Sequence, residues 1–449
     1  MAAASPLPPR SRAAVYAGRT VAGASKLTGL GSGSVIGGRV SLAVDHQLLA
    51  RLLADRRVAV VSGTNGKTTT THLLAAALAT AGPVATNELG ANMPPGIVAA
   101  LGRSEPGGSA ALEVDEQWLP AVLDAAGAAT VVLLNLSRDQ LDRSHEVRKT
   151  ADLWRATLSD RTTEHVVANA DDPLVVWAAG AAPRVVWVAT GTRWTLDAAG
   201  CPSCSGRIDF DERGWRCTAC SFARPDPAWW VEGDGGDAEL VGADGSRRRL
   251  GLGLPGHVNA TNAAMVLAAV DTMGIDLDVA AAALRAVRDV AGRYRLATIA
   301  GTEVRMLLAK NPAGWQEAIE MAEPPPTPVV AAINARIADG RDPSWLWDVP
   351  YERLRGRFVV ATGERRHDLA VRLRYAEVDH GVADDLTEAV RLAATHAADD
   401  GEPGRPTAAR HVDLIANYTA FQDYLVEVGG PMATGRGPAP RPGTGADRG

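Results

Sequence analysis

The stretch Val58-Ala59-Val60-Val61-Ser62-Gly63-Thr64-Asn65-Gly66-Lys67-Thr68-Thr69-Thr70 constrains this chain most. A short valine-rich run reads as a buried strand. It enters a loop with Gly63, Gly66 and Lys67, and the helical pattern of His72 to Ala81 follows. Strand, glycine loop and helix in that order make a phosphate cradle. Glycines let backbone N–H groups approach phosphates, a lysine brings a cation to the outer ones, and a following hydroxyl can meet Mg²⁺. Gly63, Thr64, Asn65, Gly66, Lys67, Thr68 and Thr69 are therefore the expected ATP-binding residues. Val61 stands where the common P-loop has its first glycine. The plainer alternative is a glycine turn that merely starts a helix.

At 449 residues the chain has room for two to four domains with separate cores. A net charge of −6 argues against nucleic acid as the main partner. No apolar run reaches the roughly 18–20 residues of a membrane span, and Met1 to Arg12 has no apolar core behind it. The expectation is a cytoplasmic protein that meets any membrane-bound substrate at the surface.

Residues 1–12 read as a disordered lead. A β/α alternation starts at Val58, with strands expected at Ala110–Val114, Thr130–Leu136, His165–Ala168 and Arg184–Val188. Thr130–Leu136 is a continuous apolar run, as in a parallel sheet covered on both faces. The fold class is therefore α/β, doubly wound, with its site at the strands' C-terminal ends. From about 195 to 252 the pattern changes to short antiparallel β structure. A second α/β run is expected over 300–428. The Gly, Pro and Arg of 429–449 read as a disordered tail.

Several side chains fall where chemistry is expected. The strand Ala110–Val114 is followed by acids, and Glu113 is placed to hold Mg²⁺ beside the phosphate loop; a plain surface carboxylate is the alternative. Asn135-Leu136-Ser137-Arg138-Asp139-Gln140-Leu141-Asp142-Arg143 follows a buried strand, where sites lie in such folds. Asp139 and Asp142 could equally start and cap the next helix. Asn169-Ala170-Asp171-Asp172-Pro173 reads as a turn. Asn259 and Asn262 lie three apart on one helical face, and their amides suit an adenine edge; capping by Asn259 is the simpler reading. Trp345-Leu346-Trp347-Asp348 could be a local core with a capping aspartate. It could also be an apolar contact surface with one functional carboxylate.

All four cysteines lie in one pattern, Cys201-x2-Cys204-x12-Cys217-x2-Cys220. Two such knuckles supply four thiolates for a structural, tetrahedral Zn²⁺. A redox pair is the rival, though neither knuckle precedes a helix. Arg207, Arg213, Arg216 and Arg224 with Trp215 and Phe222 leave a nucleic-acid ribbon open, which the acidic balance of the chain weakens.

Taken together these residues resemble the Mur ligase superfamily. Gly63 to Thr69 looks like its phosphate loop, and Asn135 to Arg143 like its segment after the fourth strand, with Gln140 where most members have histidine. Asn169–Pro173, Gly256–Asn262 and the Gly292-Arg293 element also match. Gln140, the cysteine ribbon and the segment Asp339 to Asp348 point to the amidating branch of that superfamily. The resemblance implies a Mur ligase-type P-loop central domain over 13–299 with an inserted zinc ribbon, plus a C-terminal α/β domain.

The resemblance further implies ATP, Mg²⁺ and structural Zn²⁺ as cofactors. It implies nucleotide binding by Asn135, Asn259, Asn262 and Arg293 alongside Glu113 and the loop. The implied activity is amidation of the α-carboxylate of D-glutamate in the lipid II stem peptide, at the inner face of the membrane. Ammonia would come from a GatD-like glutamine amidotransferase in a heterodimer. Asp348 would be the catalytic residue that completes the partner's Cys–His pair, with Asp342 as second candidate. A Mur or folylpolyglutamate-type ligase that adds an amino acid, and a zinc-ribbon binding module with a regulatory P-loop, are the competing expectations.

Overall fold

The computed structural model describes residues 6–27, 34–87, 91–138, 147–159, 161, 165–191, 194–212, 214–233, 235–288, 294–399 and 411–429. Three helices lead in: α1 (Pro9–Leu27), α2 (Ser34–Val44) and α3 (Leu48–Leu53). The helix thus begins at Pro9, inside the stretch read as a disordered lead. Proline suits a first helical turn because its missing N–H would be unpaired there anyway.

The first α/β unit runs β1 (Arg57–Ser62), α4 (Lys67–Ala79), β2 (Val84–Thr86), α5 (Pro94–Leu101), β3 (Ser109–Glu113), α6 (Leu119–Ala126) and β4 (Ala129–Leu133). It continues with α7 (Val147–Ser159), β5 (His165–Asn169), α8 (Pro173–Ala179) and β6 (Val185–Ala189). The expected 195–252 insert holds β7 (Ile208–Asp211), β8 (Gly214–Cys217), β9 (Trp229–Glu232), β10 (Glu239–Gly242) and β11 (Arg247–Arg249). Two helices close the unit, α9 (His257–Thr272) and α10 (Leu277–Arg285).

Among the described residues these strands form a sheet in the order β11-β10-β9-β6-β5-β4-β1-β3-β2. It is parallel from β2 to β9, and β10 and β11 add on antiparallel. Only β7 and β8 stand apart as a two-stranded ribbon. Half of the insert therefore extends the main sheet, because β9 pairs with the edge of β6.

The alternation within β1 explains the layering. Val58 and Val60 face one core with α3, α5, α6, α7 and α8; Ala59 and Val61 face the other with α4, α9 and α10. A strand covered on both faces needs no polar positions, hence its continuous apolar run. The strand order changes direction at β1, which lies between β3 and β4. That switch point opens a crevice at the strands' C-terminal ends.

The second unit comprises β12 (Tyr294–Ile299), β13 (Thr302–Leu308), α11 (Pro312–Met321), β14 (Val329–Ala332), β15 (Val359–Thr362), α12 (Arg366–Tyr375) and β16 (His380–Val382). It ends with α13 (Leu386–Asp399), β17 (His411–Ala416) and α14 (Tyr418–Glu427). Its sheet order is β12-β13-β17-β14-β15-β16, parallel except for the β12–β13 hairpin. The unit starts at Tyr294 and not at residue 300. β12 is a half-exposed edge strand with Arg295 and Thr298, so it lacks the apolar signature of a central strand.

Candidate active site

The phosphate loop is built at the switch point. Gly63 and Gly66 adopt positive φ of 145° and 84°, conformations that L side chains rarely take. A Cβ at Gly66 would also fall 2.9 Å from Asn262 Oδ1. The loop delivers Lys67 and Thr68 to the N-terminus of α4, where the helix dipole favours an anion. Val61 needs no glycine, since it is still inside β1 and paired with Glu113 of β3.

That register places Glu113 where the sequence put it. Thr68 Oγ1 donates to Glu113 Oε2 at 2.8 Å, and Asn92 Nδ2 donates to Glu113 Oε1 at 3.2 Å. A hydroxyl and a buried carboxylate in contact at a phosphate loop are a fitting oxygen-donor set for Mg²⁺.

Lys67 is buried and occupied. Its Nζ donates to the carbonyls of Gly63 at 2.5 Å and Thr64 at 3.2 Å, and pairs with Glu116 at 3.0 Å. Glu116 was not singled out by sequence reasoning, which saw only a cluster of acids. Burial pushes its carboxyl pKa up, and Lys67 offsets that only in part.

Asn135 ties the loop to β4. Its Oδ1 accepts from Asn65 N at 2.8 Å, its Nδ2 donates to Asn65 O at 3.1 Å, and its carbonyl accepts from Thr64 N at 2.9 Å. It therefore shapes the loop. Asn259 does not cap the helix: Gly256 is the N-cap, and Asn259, already in the first turn, donates its amide to Pro255 O at 2.6 Å. Asn262 is buried and lines a cavity of about 600 Å³ that opens beside Asn65. Arg293 lies outside the described residues, as do Asp139, Gln140 and Asp142.

The cavity lies between the two units. Asn65, Asn135, Asn262 and Thr190 line it from the first, Gln316, Glu317 and Glu320 from α11. Asn311 caps α11 and exchanges hydrogen bonds with the Asn65 amide at 3.1 and 3.2 Å, so the second unit touches the phosphate loop directly. Burial in the cleft, with Glu320 adding repulsion, pushes the Glu317 carboxyl up to about 7.

The turn at Asn169–Pro173 turns out to be a junction. Asp172 caps α8, accepts from Leu136 N at 2.8 Å, and is pushed up to about 6 by burial. Asp171 accepts from the N–H groups of Thr190 and Gly191, both at 2.7 Å, and from Arg224 of the ribbon at 2.5 Å. Such partners lie 19 to 53 residues away, so no local pattern announces them.

The four thiols converge, with all Sγ atoms within 4.8 Å of one another. Cys201–Cys220 and Cys204–Cys217 are 3.7 and 3.5 Å apart, close to the edge of about 3.8 Å that a tetrahedron with ~2.3 Å Zn–S bonds requires. Backbone N–H groups of Ser203, Gly206 and Ala219 donate to Cys201, Cys204 and Cys217 at 3.3–3.4 Å. Protein contacts alone, without a cation's charge, split the thiols. The Ala219 amide leads in lowering Cys217, while Cys201 is raised, chiefly by burial, and Cys204, against the Gly206 amide, is raised by its thiol neighbours. The convergence of the four sulfurs therefore carries the metal reading. Trp215 anchors the ribbon by donating to Ala170 O at 3.0 Å.

Asp348 sits at the end of a short 3-10 turn, Pro343–Asp348, that Asp342 caps. That role accounts for Asp342. Trp345 is buried against Trp315, whereas Trp347 is 56% exposed beside the exposed Tyr375. The segment is half core and half exposed aromatic surface, and its turn is capped by Asp342 and not by an aspartate within Trp345–Asp348. Arg138 bridges the units here, with Asp197 at 2.5 Å and Asp348 at 3.5 Å. Asp348 therefore lies at the cleft's margin, with its carboxylate half-exposed.

Comparison with known proteins agrees with this layout. The family model described as the Mur ligase middle domain matches residues 61–199, and the one described as MurT ligase C-terminal matches 308–421. The chain is 29% identical to the lipid II isoglutaminyl synthase (glutamine-hydrolyzing) subunit MurT of Streptococcus pneumoniae strain R6, over 89% of this chain and 93% of that one. To the subunit of the same name from Staphylococcus aureus strain COL it is 28% identical, over 82% and 89%. A pseudomurein peptide ligase type C from Methanothermus fervidus shares the fold, with a TM-score of 0.66 and 19% identity over 85% of this chain and 80% of that one.

Proposed function

This chain belongs to the MurT family of Mur ligase-type, ATP-dependent ligases, and from that premise we propose how its cleft works as a lipid II isoglutaminyl synthase subunit. The γ-phosphate of ATP passes to the α-carboxylate of D-glutamate in the lipid II stem peptide. ADP leaves and an acyl phosphate remains. Ammonia attacks the acyl carbon, phosphate leaves with the C–O electron pair, and loss of a proton gives the amide of D-isoglutamine. The observation that carries this reading is the phosphate loop facing a cavity walled by both units.

Two anions must meet in the first step, so positive charge has to be held ready. Lys67 supplies it at the phosphates once its contacts with Gly63, Thr64 and Glu116 exchange for the nucleotide. Thr68 and Glu113 would hold Mg²⁺, which screens the phosphate oxygens. Asn135 and Asn311 keep the Asn65 turn in shape while the nucleotide enters. The clustered thiols would hold Zn²⁺ as a structural brace, tied through Trp215 and Arg224 to the Asn169–Pro173 junction.

All four cysteines of the chain lie in the ribbon, so a glutaminase thiol has to come from another chain. A GatD-like amidotransferase fits that need. Asp348 would orient the partner's catalytic histidine, and Trp347 with Tyr375 offers an open aromatic surface beside it. The work would take place at the inner face of the membrane, where the lipid-linked substrate lies.

Isotope transfer tests the chemistry. With ¹⁸O in the D-glutamate α-carboxylate, the phosphate released should carry one label. Phosphate that stays unlabelled while amide forms would remove the acyl phosphate from the scheme.

A further inference from the structure

The first 44 residues contain five cations, Arg10, Arg12, Arg19, Lys26 and Arg39, and no Asp or Glu. This stands out in a chain with a net charge of −6. The structure folds most of them into a helical hairpin. Ser11 donates to Asp45 at 2.7 Å and Ser41 to Ala14 O at 3.0 Å, so α1 and α2 run antiparallel. Small residues make the contact: Ser11, Ala14, Gly18 and Ser25 of α1 are buried, and a Cβ on Gly18 would lie 2.7 Å from Gly37 O.

The opposite stripe of α1 follows from the period of 3.6. Arg12, Tyr16, Arg19, Gly23, Lys26 and Leu27 recur at helical spacing, and all are exposed. Tyr16 is 71% and Leu27 91% exposed, although both are large and apolar. Among the described residues neither belongs to a buried core cluster. Beside the stripe runs a groove of about 240 Å³ lined by Arg12, Arg19, Arg51, Arg56 and Arg103 with Asp55 and Glu105. Arg51 is paired with Asp45, and Arg19 and Arg56 donate to backbone carbonyls, so Arg12 and Lys26 of the stripe carry the outward charge.

A cationic stripe with protruding Tyr and Leu suits one kind of surface. Anionic lipid headgroups meet the guanidinium and ammonium groups while the apolar side chains enter the interface. No described helix is long and apolar enough to cross a membrane, so a surface contact is the remaining way for this hairpin to engage a bilayer. We propose that the outer face of α1, with its adjoining arginine groove, docks this protein on an anionic phospholipid bilayer. The inference rests on the reading that the substrate is lipid-linked. Docking would keep the catalytic cleft at the surface where that substrate is presented.

Vesicle flotation tests this with the full-length protein. Vesicles of phosphatidylcholine alone, phosphatidylcholine with phosphatidylglycerol, and phosphatidylcholine with lipid II are compared at low and high salt. Binding is expected with phosphatidylglycerol, not with phosphatidylcholine alone, and should weaken as salt rises. Each cation near an anionic surface is worth roughly fivefold in binding, so Arg12→Glu with Lys26→Glu should lose at least about 25-fold. Arg12→Gln with Lys26→Gln, the milder pair, should also lose binding and serves if the first variant misfolds.

Both variants should still amidate lipid II dispersed in detergent. Equal binding to neutral and anionic vesicles, or unchanged binding of both variants, would overturn the proposal. So would binding that needs lipid II and ignores phosphatidylglycerol, which would make the groove a substrate seat. Failure of detergent amidation with intact vesicle binding would instead overturn the functional reading and leave the docking surface standing.

Discussion

The phosphate loop and the Asp348 corner both lie at the cleft between the two units, yet they are built in opposite ways. The loop is over-determined: two positive-φ glycines, three bonds to Asn135 and a buried Lys67–Glu116 pair fix it within the first unit, and Asn311 braces it from the second. Asp348 is half-exposed and tied across the cleft by a 3.5 Å contact to Arg138, next to an open tryptophan. Exposed ion pairs of that kind contribute little to stability. The difference is that one corner is held by many buried contacts, while the other rests on one long, half-exposed ion pair.

The sharpest way to break that contrast is Lys67→Ala. Loss of the cation should cut ATP-dependent amidation by roughly 10³-fold or more, measured by product mass, with the partner complex intact on gel filtration. Asp348→Asn should behave differently. Glutamine-driven amidation should fall by about 10²–10⁴-fold, whereas amidation driven by added ammonium should persist. Equal loss with both nitrogen sources would place Asp348 in the synthetase chemistry and collapse the distinction.

Smaller effects concern the supports. A zinc chelator should lower the melting temperature and loosen the ribbon, read by Trp215 fluorescence, while amidation persists at low temperature. Amidation that stops with the fold intact would contradict a structural site.

The smallest effect expected is that of Glu317. Its folded pKa is raised to about 7 from 4.5, so the folded protein holds a proton that the unfolded chain releases. Stability from this group therefore falls as pH rises from about 4.5 to about 7 and stays low above. In nucleotide-free protein Glu317→Gln should stabilise by about 1 kcal/mol near pH 8 and by little near pH 4. A gain of the same size at both ends would show that Glu317 ionises normally.

The same contrast explains what could be read from the chain. Val58 to Thr70 carries its instructions locally: apolar continuity, glycines, then a helix. The cysteine ribbon is equally local in spacing, and its thiols do converge. Glu113 needed only strand order, which a regular α/β pattern supplies. The junction at Asp171 and Asp172, the Lys67–Glu116 pair and the Asn65–Asn311 contact were not legible. Each joins residues far apart in sequence, and an Asn or Asp in a turn looks the same whether it caps a helix or braces a sheet. β12 escaped for another reason: half-exposed edge strands lose the apolar run that marks central ones.

The measurement that tests the central claim most directly is the mass of lipid II after incubation with ATP, glutamine, this protein and the glutamine amidotransferase proposed as its partner. The account predicts a carboxylate-to-amide conversion that requires ATP, requires the partner when glutamine is the nitrogen source, and needs no partner when ammonium replaces glutamine. Addition of a whole amino acid by this chain alone, or no change in mass with a well-folded complex, would contradict it.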